Sequence, residues 1–263
     1  MFNISKTFRF HFWMILYYLT VLVANIFSIL PAIPGYFLNS GGAVIFTVFN
    51  FLSSWIGVTI ELRNPEKLYK TDDIVVFVAN HQSALDSSII AKIWPKKCTV
   101  MMKKSLAFIP PLNIVGFLSS VIFVDRFNPT KAKEAIVSAV ETIQKKNIKL
   151  WVFPEGTRYR GKGMLPFKKG AFNIAVEAQI PIIPVVISHY GCFYNMDKKY
   201  FKNNGQVIVQ VLDPVPTKGL THDDVPELVT KVQAMMMETF EKISLEAEQR
   251  QNEIDTGLMK KIN

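Results

Sequence analysis

The chain has 263 residues, 49% of them hydrophobic, with a formal net charge of +9 and a mean hydropathy of +0.21. That length holds one α/β domain and an added segment, and the apolar content makes membrane contact an expectation before any motif is read. Cys98 and Cys192 make no disulfide framework, no histidine has a second metal ligand near it, and no basic-aromatic nucleic-acid motif is present. The basic excess therefore points to anionic lipid or phosphate, and a metal site or nucleic-acid partner is not expected.

Phe10 to Leu30 is apolar or weakly polar apart from His11, and at ~1.5 Å per residue it spans ~30 Å, about the thickness of a bilayer's hydrocarbon core. Pro31 and Pro34 are expected to end it. A second uncharged run, Ala43 to Ile60, is just long enough to cross, and Asn39-Ser40-Gly41-Gly42 joins the two. Lys6 and Arg9 precede the first run, Arg63, Lys67 and Lys70 follow the second, and the turn between carries no cation. The positive-inside rule then puts both flanks in the cytosol, with residues 1–60 a membrane helical hairpin whose turn faces the lumen. A cleaved signal peptide fits less well, because the run is long and lacks an A-x-A site. A hairpin that dips into one leaflet is the stronger alternative, since the second run is short and diluted by Ser53 and Ser54.

Residues 61–263 form the second predicted unit. Glu61 to Asp73 reads as a connector. Strand patterns follow at Ile74–Ala79, Thr99–Met102, Val121–Asp125, Leu150–Phe153, Ile182–Ile187 and Val207–Leu212. Helical patterns lie at Ser87–Ile93, Lys131–Lys146, Ala171–Gln179 and 226–250, the last with Leu228, Val232, Met235, Met236, Phe240 and Ile243 on a rough core-facing stripe. The alternation predicts an α/β sandwich around a largely parallel mixed sheet.

Asn80-His81-Gln82-Ser83-Ala84-Leu85-Asp86 carries the strongest functional signal. A histidine and a carboxylate sit just past a buried strand, where open α/β sheets place their chemistry. On one helix they would lie about 140° apart at ~3.6 residues per turn. With His81 in the loop and Asp86 in the first helical turn they can meet. The carboxylate would then accept the Nδ1 proton and aim Nε2 outward as a base. From Glu155 to Lys169 the cations Arg158, Arg160, Lys162, Lys168 and Lys169 face the single acid Glu155. Gly156 permits close backbone approach to a ligand, and Arg158 can hold a phosphate with a forked guanidinium.

Taken in order, the His81 block, Phe123-Val124-Asp125-Arg126, Phe153-Pro154-Glu155-Gly156-Thr157-Arg158 and Ile180-Pro181-Ile182-Ile183-Pro184-Val185 resemble the four motif blocks of the glycerolipid acyltransferases. Within that group the chain most resembles the 1-acyl-sn-glycerol-3-phosphate acyltransferases, over roughly residues 60 to 215. One departure is Ser120, where the second block often has Gly. The resemblance implies an enzyme that moves an acyl group from acyl-CoA, as co-substrate and without another cofactor, to the 2-hydroxyl of a lysophosphatidic acid. His81 and Asp86 would be catalytic. Glu155, Gly156, Thr157 and Arg158 would bind the acceptor, with Arg126, Lys103 and Lys104 as further cations. No G-x-S-x-G elbow is present, so no acyl-enzyme is expected. Other lysophospholipids or glycerol 3-phosphate remain alternative acceptors, and a non-catalytic, membrane-shaping lysophospholipid binder remains a rival of another class. Lys260-Lys261 near the C-terminus resembles a dilysine retrieval signal, which implies an endoplasmic reticulum membrane protein with residues 61–263 on the cytosolic side.

Overall fold

The first apolar run is longer than its sequence suggests. In a computed structural model, which describes residues 4–70, 73–124 and 129–257, it forms α1 (Ile4–Phe37), and the helix continues through Pro31 and Pro34. A proline removes a helical donor but does not by itself end a helix that tertiary packing holds on one face. That face is Phe10, Met14, Tyr17, Ala24, Ser28 and Ala32, all buried along most of the helix length. The opposite face, including Phe8, Ile15, Phe27, Leu30 and Phe37, is apolar and exposed.

The second run divides. Its helix, α2 (Gly41–Leu52), has 12 residues, or ~18 Å, short of a ~30 Å hydrocarbon core. A 3-10 turn at Ser54–Ile56 and a left-handed Gly57 (φ 67°) follow it. The run's end then enters a strand, β1 (Thr59–Arg63), which crosses the expected boundary at residue 60. The expected connector thus holds β1 and a short helix, α3 (Pro65–Tyr69), rather than an irregular link. β1 was hidden because it is five residues of mixed polarity, formed by pairing rather than by a pattern of its own.

The turn between α1 and α2 does not stand clear of the rest. Asn39 Nδ2 donates to the Lys146 carbonyl at 2.9 Å, and a Cβ on Gly41 would lie 2.1 Å from the Leu118 carbonyl oxygen. A turn packed on the α/β body cannot sit across a bilayer from it. The lumen-facing hairpin is therefore corrected in favour of the arrangement that stays on the body's side.

The remaining elements, in chain order, are β2 (Val76–Ala79), α4 (Asp86–Ile93), β3 (Cys98–Lys103), α5 (Leu112–Leu118), β4 (Ile122–Val124), α6 (Pro129–Lys146) and β5 (Lys149–Val152). Then come α7 (Gly170–Ala178), β6 (Ile182–Ile187), a small hairpin of β7 (Tyr194–Asn195) and β8 (Tyr200–Phe201), β9 (Gln206–Val211) and α8 (Val225–Asp255). The predicted strands and helices are present with ends shifted by a few residues. α5 and the β7–β8 hairpin were not foreseen. α5 is seven residues long and contains Gly116, so its form comes from what it packs against.

The sheet runs β1-β9-β6-β2-β5-β3-β4. β6, β2, β5, β3 and β4 are mutually parallel, while β9 is antiparallel to β6 and β1 follows β9. Alternation along β2 shows why both faces are covered. Phe77 and Ala79 join a core with Phe10, Tyr17, Phe49 and Ile89 from α1, α2 and α4. Val76 and Val78 join a second core with Ile143, Phe172 and Phe240 from α6, α7 and α8. The fold is thus an α/β sandwich around a largely parallel sheet, and α1 and α2 supply part of one layer.

Candidate active site

The site is built at the carboxyl ends of β2, β5 and β6. β2 stops at Ala79 and α4 begins at Asp86, so the intervening loop turns back on its own carboxylate. Asp86 Oδ2 accepts His81 Nδ1 at 2.6 Å, the Gln82 N–H at 2.7 Å and the Ser83 N–H at 3.1 Å. The Asp86 side chain is 2% exposed, whereas that of His81 is 21% exposed. His81 stacks on Phe153 with ring centroids 4.2 Å apart. With Nδ1 committed to Asp86, Nε2 is the nitrogen left for a ligand, and His81 lines an open groove.

The loop after β5 holds the backbone of His81. Glu155 Oε1 accepts the His81 N–H at 2.7 Å, and the Tyr159 N–H donates to the His81 carbonyl at 2.8 Å. Glu155 Oε2 accepts the Leu165 N–H at 2.9 Å. Burial pushes the Glu155 carboxyl above its ordinary value, opposed by those two backbone donors. Both oxygens are thus engaged with backbone, and Glu155 is 3% exposed. The structure keeps it behind the groove and not among the groove's lining residues. A carboxylate accepting charge-assisted bonds from two loops is a brace.

Thr157, Arg158 and Lys103, by contrast, reach the groove, together with Gly156 at φ +69°, a value that favours glycine. Arg158 is exposed and makes no hydrogen bond or ion pair with the described residues. Arg160 also lines the groove but is paired with Asp197 at 3.1 Å. Lys104 is exposed outside the lining. Asp125, Arg126, Lys260 and Lys261 lie outside the described residues. The groove shares Phe46, Ser87, Val100 and Met102 with an apolar cavity between α1, α2, α4, β3 and α5, so a polar end and an apolar end adjoin.

Three contacts were not read from the sequence. Tyr17 on α1 donates to the Ala84 carbonyl at 2.5 Å. The Asn80 side chain bonds both the N–H and the carbonyl of Ile187, at 2.8 and 2.9 Å. Tyr190 donates to Asp86 Oδ1 at 2.7 Å. Spacing gives no hint of such pairs, which lie 67 to 107 residues apart. Position just past β6, another parallel strand of the same sheet, is a signal for Tyr190.

Residues 59–188 match the Acyltransferase family model, and the chain is an acyltransferase. It is similar to human 1-acyl-sn-glycerol-3-phosphate acyltransferase beta, 42% identical over 188 residues that cover 72% of this chain and 67% of that protein. It is also similar to Caenorhabditis elegans acl-2, whose name places it in the same class, at 43% identity over 250 residues covering 95% of this chain and 88% of that one. The chain belongs to the 1-acyl-sn-glycerol-3-phosphate acyltransferase family. A solved structure, the 1-acyl-sn-glycerophosphate (LPA) acyltransferase PlsC from Thermotoga maritima, shares the fold with a TM-score of 0.68, covering 91% of this chain and 95% of that one at 24% identity. Membership in an enzyme family sets aside the non-catalytic alternative.

Proposed function

We propose that this enzyme transfers an acyl group from acyl-CoA to the 2-hydroxyl of 1-acyl-sn-glycerol 3-phosphate, giving phosphatidic acid and free CoA. The observation that carries the reading is the Asp86–His81 pair, 2.6 Å apart, with His81 open to a groove that Arg158 and Lys103 also line. His81 Nε2 takes the hydroxyl proton as that oxygen forms a bond to the thioester carbonyl carbon. The tetrahedral adduct collapses, the C–S bond breaks, and the departing thiolate takes the proton back from His81. Asp86 holds the tautomer and stabilises the imidazolium.

Arg158 and Lys103 are suited to the acceptor's phosphate, with the Gly156 and Thr157 backbone close by. Arg126, which lies outside the described residues, is assigned the same task by resemblance to the family's second motif block. Glu155 acts on the reaction through the backbone of His81. The apolar cavity beside the groove suits an acyl chain. Direct transfer is favoured over an acyl-enzyme because Cys98 is buried and burial pushes the Cys192 thiol up to about 11. No cofactor beyond acyl-CoA is needed.

The long apolar helix α1 supports membrane association, because by length and composition it is long and apolar enough to cross a bilayer. We assign the protein to the endoplasmic reticulum membrane with its catalytic body facing the cytosol, on the basic flanks and the Lys260-Lys261 tail. The test of function is purified enzyme with one labelled acyl-CoA against a panel of acceptors, with His81→Ala as control. Preferred labelling of lysophosphatidic acid, lost in the control, is expected. Preferred labelling of glycerol 3-phosphate or another lysophospholipid would reassign the acceptor.

A further inference from the structure

The His81–Asp86 pair is held from a third side. Asp86 Oδ2 is filled from within its own loop, by His81 Nδ1 and two backbone N–H groups. Oδ1 accepts instead from Tyr190, at 2.7 Å and 104 residues away in sequence. The Tyr190 ring is 3% exposed and is wedged against Phe193 and Tyr194, with ring centroids 5.6 and 6.3 Å away. Its oxygen also lies 2.8 Å from Ser83 Oγ.

A phenol has one proton, and an ionised carboxylate can only accept. The phenol proton therefore goes to Asp86, and the Ser83 hydroxyl donates to the phenol oxygen. The outcome is a directed chain, Ser83 to Tyr190 to Asp86, ending on the carboxylate that receives His81. Burial, reinforced by the Asp86 charge, pushes the Tyr190 phenol well above its ordinary value, so it remains a donor throughout the working pH range.

We propose that Tyr190 is a positioning residue for the catalytic base: its hydroxyl fixes the rotation of the Asp86 carboxylate, so that Oδ2 stays on His81 Nδ1, and draws part of the carboxylate's charge towards Oδ1. The proposal rests on His81 acting as the base. Tyr190 is not among the residues lining the groove that His81 and Arg158 share, so it acts on the reaction through Asp86. Without its hydroxyl, the buried Oδ1 loses the partner the structure gives it. The carboxylate is then free to turn, and its charge gathers on the side that faces His81. The first effect slows turnover. The second stabilises the imidazolium, so neutral base is reached only at higher pH.

Tyr190→Phe keeps the ring and removes the hydroxyl. The expected result is a kcat lowered roughly 10- to 100-fold, the scale of one hydrogen bond to a charged group. KM for both substrates should stay within about twofold, since no binding contact is removed. The acid limb of the kcat/KM profile should move to higher pH. A residue that only packs would lower the folded fraction without moving that limb. Replacing Tyr190 with 3-fluorotyrosine, a stronger donor of nearly the same shape, should move the limb to lower pH. It supplies the test if Tyr190→Phe does not fold. In an Asp86→Asn background, Tyr190→Phe should cause no further loss, because the shared step is already broken. Wild-type kcat and an unmoved acid limb in Tyr190→Phe, or an unmoved limb with 3-fluorotyrosine, overturns the proposal when His81→Ala is inactive. An active His81→Ala would instead overturn the base reading beneath it.

Discussion

The loops after β2 and β5 end at the same edge of the sheet but are held in opposite ways. In the first, the His81 peptide is fixed at its N–H by Glu155 and at its carbonyl by Tyr159, and the ring is fixed by Asp86. In the second, Thr157 and Arg158 are exposed at the groove, and Arg158 has no bonded partner among the described residues. A base must be in register before the substrate arrives, because a misplaced proton acceptor loses most of its effect. A phosphate-binding cation is better left open, because its partner is the ligand. Glu155 belongs by sequence to the second loop and by contact to the first, so one motif block both braces His81 and presents Arg158 to the groove.

This contrast predicts unequal consequences for substitutions a few residues apart. The largest should come from His81→Ala. Its turnover is expected to fall ~10²–10⁴-fold with acceptor binding kept, as measured by kcat beside equilibrium binding of lysophosphatidic acid. Near-normal turnover would break the comparison at its root.

Glu155→Gln comes next. An amide offers one acceptor oxygen where two backbone N–H groups, of His81 and Leu165, need one each. One donor is left buried and unmatched, for a loss of about 1–3 kcal/mol of stability. Denaturant unfolding should show that loss, and kcat should fall while the acceptor KM holds. A raised acceptor KM with unchanged stability would move Glu155 from brace to ligand contact.

Arg158→Lys should show the opposite division. The charge stays but the fork is lost, so the KM for lysophosphatidic acid is expected to rise roughly 5- to 30-fold, on the order of 1–2 kcal/mol, with stability unchanged. A rise confined to the KM for acyl-CoA would place Arg158 at the donor's phosphates. The smallest effect is expected for Gly156→Ala, whose φ of +69° costs an L-residue roughly 1–2 kcal/mol. Its new methyl would meet the flexible Lys168 side chain, which can yield, so thermal unfolding should report a modest loss dominated by backbone strain. A drop well above about 2 kcal/mol would show that the turn after β5 tolerates less than its exposure suggests.

How the apolar N-terminus is used shows the limit of pattern reading. Hydropathy located both runs, but α1 extends beyond the first at both ends and α2 takes up only the first part of the second. The pattern could not show that one face of α1 is buried under the sheet, because a lipid-facing leucine and a core-facing leucine look alike in a sequence. Tyr17 is the informative residue: its hydroxyl reaches the Ala84 carbonyl in the loop between His81 and Asp86, so the helix that looks like an anchor also touches that loop.

What the sequence by itself determined was local. Strand periodicity placed β2, β5 and β6. The placement of His81 in a loop and Asp86 in the first turn of a helix was correct, because a five-residue spacing is closed by the loop's own geometry. Arg158 was likewise placed locally, in a glycine turn after a strand, and it lines the groove there. The tertiary structure alone decided which loops are neighbours. In the order β6-β2-β5, the strand that leads into His81 lies between the other two. Glu155 therefore comes to one side of His81 from the end of β5, and Tyr190 comes to Asp86 from the end of β6. Strand order is set by how all seven strands share their hydrogen bonds and bury two faces at once. No single segment's period carries that information, so the residues that hold His81 and Asp86 in place became visible only in the fold.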